Sequence, residues 1–253
     1  MSNVDLALVY VLLLIPLWIS AAFALGRIRE MLWAVVRMTA QLTLVGLYIE
    51  VLFRVESVWL NLLWVVAMLV VADLSSLKKS GIPARPLLVA TVFLTLTPGI
   101  LVPVAVLLRA VRPDPWYEAR TLIPLVGMVL GNSLRGNIVA LSRFREILTR
   151  ERDLYASRLM VGATRAEALR PVYRASLQAS LAPQLASIAT IGLVSLPGMM
   201  TGQILGGALP LTAIRYQIAI MLTILAAVSL AALLNIAVAS RLLLDDRDMP
   251  YDA

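Results

Sequence analysis

Between Ala175 and Ile214 the chain runs for 40 residues without an Asp, Glu, Lys or Arg. Three more uncharged runs cover Leu6–Gly26 (21 residues), Pro86–Leu108 (23) and Tyr216–Ser240 (25). A helix needs ~20 mostly apolar residues to cross the hydrocarbon core of a bilayer. Composition agrees with that reading: 60% of the 253 residues are hydrophobic and 15% charged, with a mean hydropathy of +0.89. Soluble domains carry about 25% charged residues, and a water-soluble globule of this length could not hide so much apolar surface. Three weaker runs fill the gaps: 32–53, interrupted by Arg37 and Glu50; 58–76, with Asp73 near its end; and 121–140, with Arg135. Strict alternation is absent, which argues against a membrane β-barrel. The sequence predicts an all-α polytopic membrane protein. It forms one membrane domain over 1–253, with seven helices near 6–25, 32–53, 58–76, 86–108, 121–141, 178–197 and 214–243.

The chain has no Cys and no His. Thiol and imidazole catalysis, Cys/His zinc sites and disulfides are therefore excluded. Ala22-Phe23-Ala24 resembles a signal-peptidase site, but Met1–Asp5 holds no basic residue and the apolar stretch exceeds a signal core. The first run is read as a retained span. Its positive flank, Arg27 and Arg29, follows it, which predicts the N-terminus outside and the C-terminus inside. On that map the inner segments carry 15 of the 22 Lys and Arg, among them Arg85 and Arg247. The outer segments carry 5: Arg54, Arg109, Arg112, Arg120 and Arg215. Cations gather on the cytoplasmic side of membrane proteins, so the bias supports the orientation. Pro197-Gly198, Gly202, Gly206-Gly207 and Pro210 make 198–213 a poor continuous helix. The segment is expected to be broken or re-entrant after the sixth span, buried in protein or lining a cavity.

Residues 141–174 carry 8 Arg and 4 acidic side chains, which places them in water on the inner side. Phe144, Ile147, Leu148, Leu154, Leu159 and Met160 keep an approximate helical stripe. Gly162 then breaks the helix. Thr164 and Glu167 stand at capping-box spacing, so a new helix starts near Arg165. It is expected to run to about Arg170, where Pro171 ends it or opens the next. The arrangement suits docking of a partner; the alternative is a solvated helical loop.

Polar groups inside spans are costly and usually face a cavity or a partner. Arg37 and Asp73 are candidates for a transport path or for a structural pair. Glu50, near an outer end, joins Asp73 as a candidate oxygen ligand for a metal ion, or snorkels to the surface. Gly127 and Gly131, with Asn132, form a small-x-x-x-small stripe suited to helix packing. Pro197, Gly198, Met199, Met200 and Gln203 form a candidate gate. The two Met could share a soft metal only if the backbone were irregular; packing is the alternative.

Leu159-Met-Val-Gly-Ala-Thr-Arg-Ala-Glu-Ala-Leu169 resembles the cytoplasmic loop of ABC-transporter permeases. Gly192-Leu-Val-Ser-Leu-Pro-Gly-Met-Met-Thr-Gly202, Ile214-Arg-Tyr-Gln217, Gly127-Met-Val-Leu-Gly-Asn132, and Arg37 with Gln41 resemble the bacterial iron-export permeases related to plant aluminium-tolerance permeases. Tyr155-Ala156-Ser157 stands where the usual Glu-Ala-Ala would open the loop. The resemblance spans roughly 30–245. It implies an inner-membrane permease, two copies working with two copies of a separate ATPase that carries the ATP and Mg2+. Gly162, Ala163, Thr164, Arg165, Glu167 and Leu169 would dock on that ATPase. Iron export is the implied activity, with sugar-nucleotide or other organic cargo as an alternative. No G-x-x-x-x-G-K-[ST] loop occurs, which fits a chain that is not itself the ATPase. An ion-gradient-driven carrier is the competing class; its usual pair of interrupted spans is not visible.

Overall fold

The computed structural model describes residues 3–55, 57–82 and 86–244. Arg85 and Arg247, counted above among the inner cations, lie outside the described residues. The chain divides into two compact units, 1–55 and 56–253. Among the described residues all regular structure is helical; a single bridge joins Ile191 and Ser195.

The first unit holds α1 (Asn3–Tyr10), a 3-10 turn (Val11–Leu13), α2 (Leu14–Ala22) and α3 (Ile28–Val55). The expected first span is thus interrupted. Pro16 lacks the N–H that would bond the Leu12 carbonyl, and the turn before it tightens. Tyr10 Oη and Thr39 Oγ1 lie 2.7 Å apart, tying α1 to α3.

The second unit contains α4 (Val58–Ser80), α5 (Pro86–Val111), α6 (Ala119–Arg150), α7 (Arg152–Met160), α8 (Arg165–Thr190), α9 (Gly198–Leu205) and α10 (Pro210–Leu242). The last of these, α10, packs on α5, α6 and α8, while α4 covers α6 and α5. The contacts Asn61–Tyr117, Met68–Gly127 and Ser76–Asn137 advance together along both helices, so α4 and α6 run parallel. Thr95–Asn235 and Gly99–Ala231 advance in opposite senses, so α5 and α10 run antiparallel. Both directions fit a chain that crosses a bilayer back and forth.

Large apolar side chains face outward as well as inward, unlike in a soluble bundle, and polar groups lie among the buried ones. Asn61, Asp73, Ser76, Ser133, Asn137, Ser176, Ser180 and Asn235 are buried, whereas Trp59, Val71, Leu94 and Val106 face outward. Lipid tails are as apolar as Leu, so helices in a membrane associate through close packing and polar contacts. Leu69, Leu96, Ile100, Val126 and Ile224 form one apolar cluster; Leu77, Phe144, Tyr155, Leu169 and Ile236 form a second.

Among the described residues, five helices are long and apolar enough to cross a bilayer: Ile28–Val55, Val58–Ser80, Val92–Val111, Ala119–Arg150 and Pro210–Leu242. The two remaining expected spans fall on the shorter apolar stretch Leu8–Ala22 and on α8, whose first half carries Arg165, Glu167, Arg170 and Arg174. Pro171 neither ends nor opens a helix: α8 passes through it and through Pro183. The bond lost at a proline costs less where the turn is fixed by packing, and Ala168, Leu169 and Val172 are buried beside it. The chain breaks earlier than expected. After Thr190 it turns at Gly192 (φ +84°), whose N–H donates to the Ser195 carbonyl over 2.9 Å. Residues 198–205 then form a regular helix. A second turn at Gly207 (φ +93°) leads to α10, where Pro210 takes the first helical position.

Candidate functional site: a capped corner and a polar seam

α6 ends at Arg150, and Glu151 separates it from α7. The break resets the helical phase. The apolar stripe therefore does not continue as read from sequence: Phe144, Ile147 and Leu148 are buried, but Leu154 and Met160 turn outward and Tyr155 takes the inward place. The chain then reverses at Gly162, whose φ of +91° lies in the left-handed region that costs glycine least. Thr164 caps α8 with both halves of a capping box. The Thr164 backbone N–H donates to Glu167 Oε2 over 2.8 Å, and the Glu167 N–H donates back to Thr164 Oγ1 over 3.3 Å. The Thr164 hydroxyl also donates to Glu167 Oε2 over 2.6 Å. These bonds, the hydroxyl's first and the backbone's second, hold the Glu167 carboxyl below its ordinary range.

The base of the corner is fixed to the bundle. Leu169 is 4% exposed inside the second apolar cluster. The Arg165 guanidinium donates to the Ser240 carbonyl, and Tyr173 Oη lies 2.7 Å from Ser240 Oγ. The six residues expected to dock a partner therefore divide. Gly162, Thr164 and Glu167 are exposed, Ala163 and Arg165 are half-buried, and Leu169 is an anchor in the core. The sequence reading missed two others. Met160 and Val161 are 80% and 85% exposed at the tip. Two apolar residues directly before the glycine of an Arg-rich segment were the available signal.

The second feature is the seam between α4 and α6. Asp73 is 1% exposed, and its Oδ1 has no hydrogen-bond partner among the described residues. The register of the parallel pair sets Asp73, between Met68 and Ser76, at the level of residues 132–134. Asn137 Nδ2 donates to Ser76 Oγ over 2.9 Å, while Asn137 Oδ1 and Ser133 Oγ have no partner among the described residues. Oxygen atoms thus collect on facing sides of two packed helices.

The other candidates are placed as follows. Arg37 is exposed on α3. Glu50, 61% exposed, accepts from Arg54 Nη2 over 2.6 Å. Groups of three or more His, Cys, Asp or Glu able to hold a metal are absent among the described residues. Pro197 precedes α9 and Gly198 begins it. Because α9 is regular, Met199 and Met200 diverge by about 100°; Met199 packs against the first apolar cluster. Gln203 Oε1 is buried without a partner among the described residues. A Cβ on Gly127 would meet Met68 Cε at 3.3 Å, a Cβ on Gly131 would meet nothing within 4 Å, and Asn132 Nδ2 donates to the Met128 carbonyl over 2.8 Å. Among the glycines inside helices, the closest approaches lie instead at Gly99, against Ala231, and at Gly136, against Val228.

Apolar outer faces, a buried polar seam and a hydrophilic corner anchored beneath the bundle define an all-α polytopic membrane protein. The model of a family described as "Uncharacterised protein family (UPF0014)" matches residues 3–244, and the chain belongs to that family. It is 32% identical over 239 residues to "UPF0014 membrane protein YjkA" of Bacillus subtilis, covering 92% of each chain. It is 31% identical over 233 residues to "Probable iron export permease protein FetB" of Escherichia coli, covering 92% of this chain and 88% of that one. A third relative, "Protein ALUMINUM SENSITIVE 3" of Arabidopsis thaliana, is 34% identical over 216 residues, 85% of this chain and 77% of that one. No solved structure matches the chain.

Proposed function

We propose that the chain is the permease subunit of an ABC transporter of the cell (inner) membrane, with its N-terminus outside and its C-terminus in the cytoplasm. Two copies work with two copies of a separate ATPase that holds the ATP and Mg2+, and the cargo is a metal ion, iron first. The capped corner carries this reading. A partner that moves during ATP hydrolysis needs a lever that transmits force. Here the exposed tip Met160–Gly162 is joined through the Thr164 cap to a helix rooted among Leu169, Tyr173 and Ser240. Met160 and Val161 supply apolar contact, and Gly162 lets the backbone approach closely. The name of the Escherichia coli relative supports iron as cargo. In the seam, Asp73 with the Ser133 and Asn137 oxygens offers hard ligands to a divalent cation. Met199, Met200 and Gln203, between the two turns flanking α9, serve as gate.

The test is cellular iron in cells expressing the chain with its ATPase. Iron content should fall, and Gly162→Pro should abolish the fall while the protein remains in the membrane. Export by Gly162→Pro at the original rate would remove the corner from the mechanism. Unchanged iron with both proteins present would refute the cargo.

A further inference from the structure

A polar groove of about 190 Å3 opens between α6, α8 and α10, apart from the seam that holds Asp73. Its floor is a tight contact: Ser180 Oγ donates to the Gly136 carbonyl over 2.9 Å, and Val228 packs against the same glycine. Its walls carry Asn132 and Arg135 from α6, and Gln184 and Ser187 from α8. Arg135 lies eight residues before Arg143, roughly 12 Å along the axis at the rise of an α-helix, and the stretch from Thr121 to Ser142 holds no other charge. An arginine at such a depth is expensive unless it meets an opposite charge or water. Among the described residues Arg135 enters no ion pair, and no acidic side chain lines the groove.

Among the residues that line the space, Arg135 alone carries a formal charge. The Arg135 guanidinium has five N–H groups in a planar fork. Gln184 and Ser187 add an amide and a hydroxyl whose side chains enter no hydrogen bond among the described residues. A bare metal cation would be repelled here. A ligand rich in acceptors and negatively charged would meet both the fork and the missing countercharge, and carboxylate and phosphate match guanidinium geometry bidentately.

We propose that this groove binds an anionic carboxylate or phosphate group, anchored by Arg135 and oriented by Gln184 and Ser187. The group belongs either to a soluble anion, which then travels with the metal cargo as its ligand, or to an anionic lipid headgroup that docks between α6 and α8. The first source rests on the permease reading and deepens it, because the cargo would then cross this level in anionic form. Binding is measured on the chain alone, so its failure leaves the coupling test at Gly162 untouched.

The experiment uses the purified chain in nanodiscs made only of phosphatidylcholine, titrated calorimetrically with inorganic phosphate and with citrate. A parallel set replaces part of the lipid by phosphatidylglycerol and counts retained lipid by native mass spectrometry. Saturable binding of phosphate or citrate, weakened at least tenfold in Arg135→Gln and by a smaller factor in Arg135→Lys, which keeps the charge but loses the fork, supports the groove with a soluble ligand. Retention of phosphatidylglycerol that is lost in Arg135→Gln supports the groove with a lipid ligand. Gln184→Ala guards against misfolding of the arginine variant and should weaken either ligand by a smaller factor. Arg174→Gln, outside the groove, should change nothing. Absence of both kinds of binding, or binding unaffected by Arg135→Gln and Gln184→Ala, overturns the proposal.

Discussion

Gly136→Ala should weaken the bundle, although the same change five residues earlier, Gly131→Ala, should not. An ideal Cβ on Gly136 would lie 2.6 Å from Val228 Cγ1 and 3.1 Å from Ser180 Oγ, whereas a Cβ on Gly131 has nothing within 4 Å. Carbon atoms prefer separations of ~3.5–4.0 Å, so α6 and α10 must part by roughly an ångström or Val228 must leave its rotamer. Overpacking of this kind costs about 1–3 kcal/mol. Both substitutions share the helix-propensity gain of about 1 kcal/mol for replacing glycine by alanine, so their difference isolates the clash. Unfolding of the purified protein in mixed micelles, followed by circular dichroism, should place Gly136→Ala about 1–3 kcal/mol below Gly131→Ala. Adding Val228→Ala should restore part of that loss, with a coupling of roughly 0.5–3 kcal/mol as expected for residues in contact. Equal stability of the two single variants, or strict additivity with Val228→Ala, would refute the packing argument.

The remaining predictions concern the corner and the seam. Thr164→Ala should cost about 1 kcal/mol of local helix stability and raise the Glu167 pKa part of the way toward its ordinary value of 4.5, because the hydroxyl bond, the larger of the two that lower it, is gone while the backbone N–H bond remains. The sign follows from linkage: with the folded pKa lowered, the cap is intact above the ordinary value and is lost as pH falls through the folded one. Carboxyl NMR of both proteins checks this, and identical titration of Glu167 would sink it. In this chain, which lacks native Cys, Val161→Cys should react with an impermeant maleimide only after the membrane is opened, and Leu169→Cys should stay protected even then; labelling of Val161→Cys on intact cells would reverse the orientation. Asp73→Asn keeps the shape of the side chain and removes the charge, so it should abolish metal export without lowering membrane abundance; continued export would leave Asp73 a structural residue.

Several features were legible because their causes are local. Uncharged runs of bilayer length specify helices and the medium around them, and the sequence already placed an all-α membrane bundle on that basis. The cap at Thr164 and Glu167 could be read three residues apart, since both of its backbone bonds close within one turn. The turn at Gly162 needed only its position between two helical patterns. What the tertiary structure decided involves partners far along the chain. Leu169 looks like the end of a docking helix until the cluster of Phe144, Tyr155 and Ile236 buries it. The spacing of Gly127 and Gly131 suggests a packing stripe, yet among the glycines inside helices the closest contacts fall at Gly99 and Gly136, because closeness depends on Ala231 and Val228 from another helix. Pro171 reads as a breaker, but the burial of Ala168, Leu169 and Val172 carries α8 through it. Asp73 could be named from sequence as a costly intramembrane acid. Its neighbours Ser133 and Asn137 follow only from the parallel register of α4 and α6, which no periodicity within a single helix encodes.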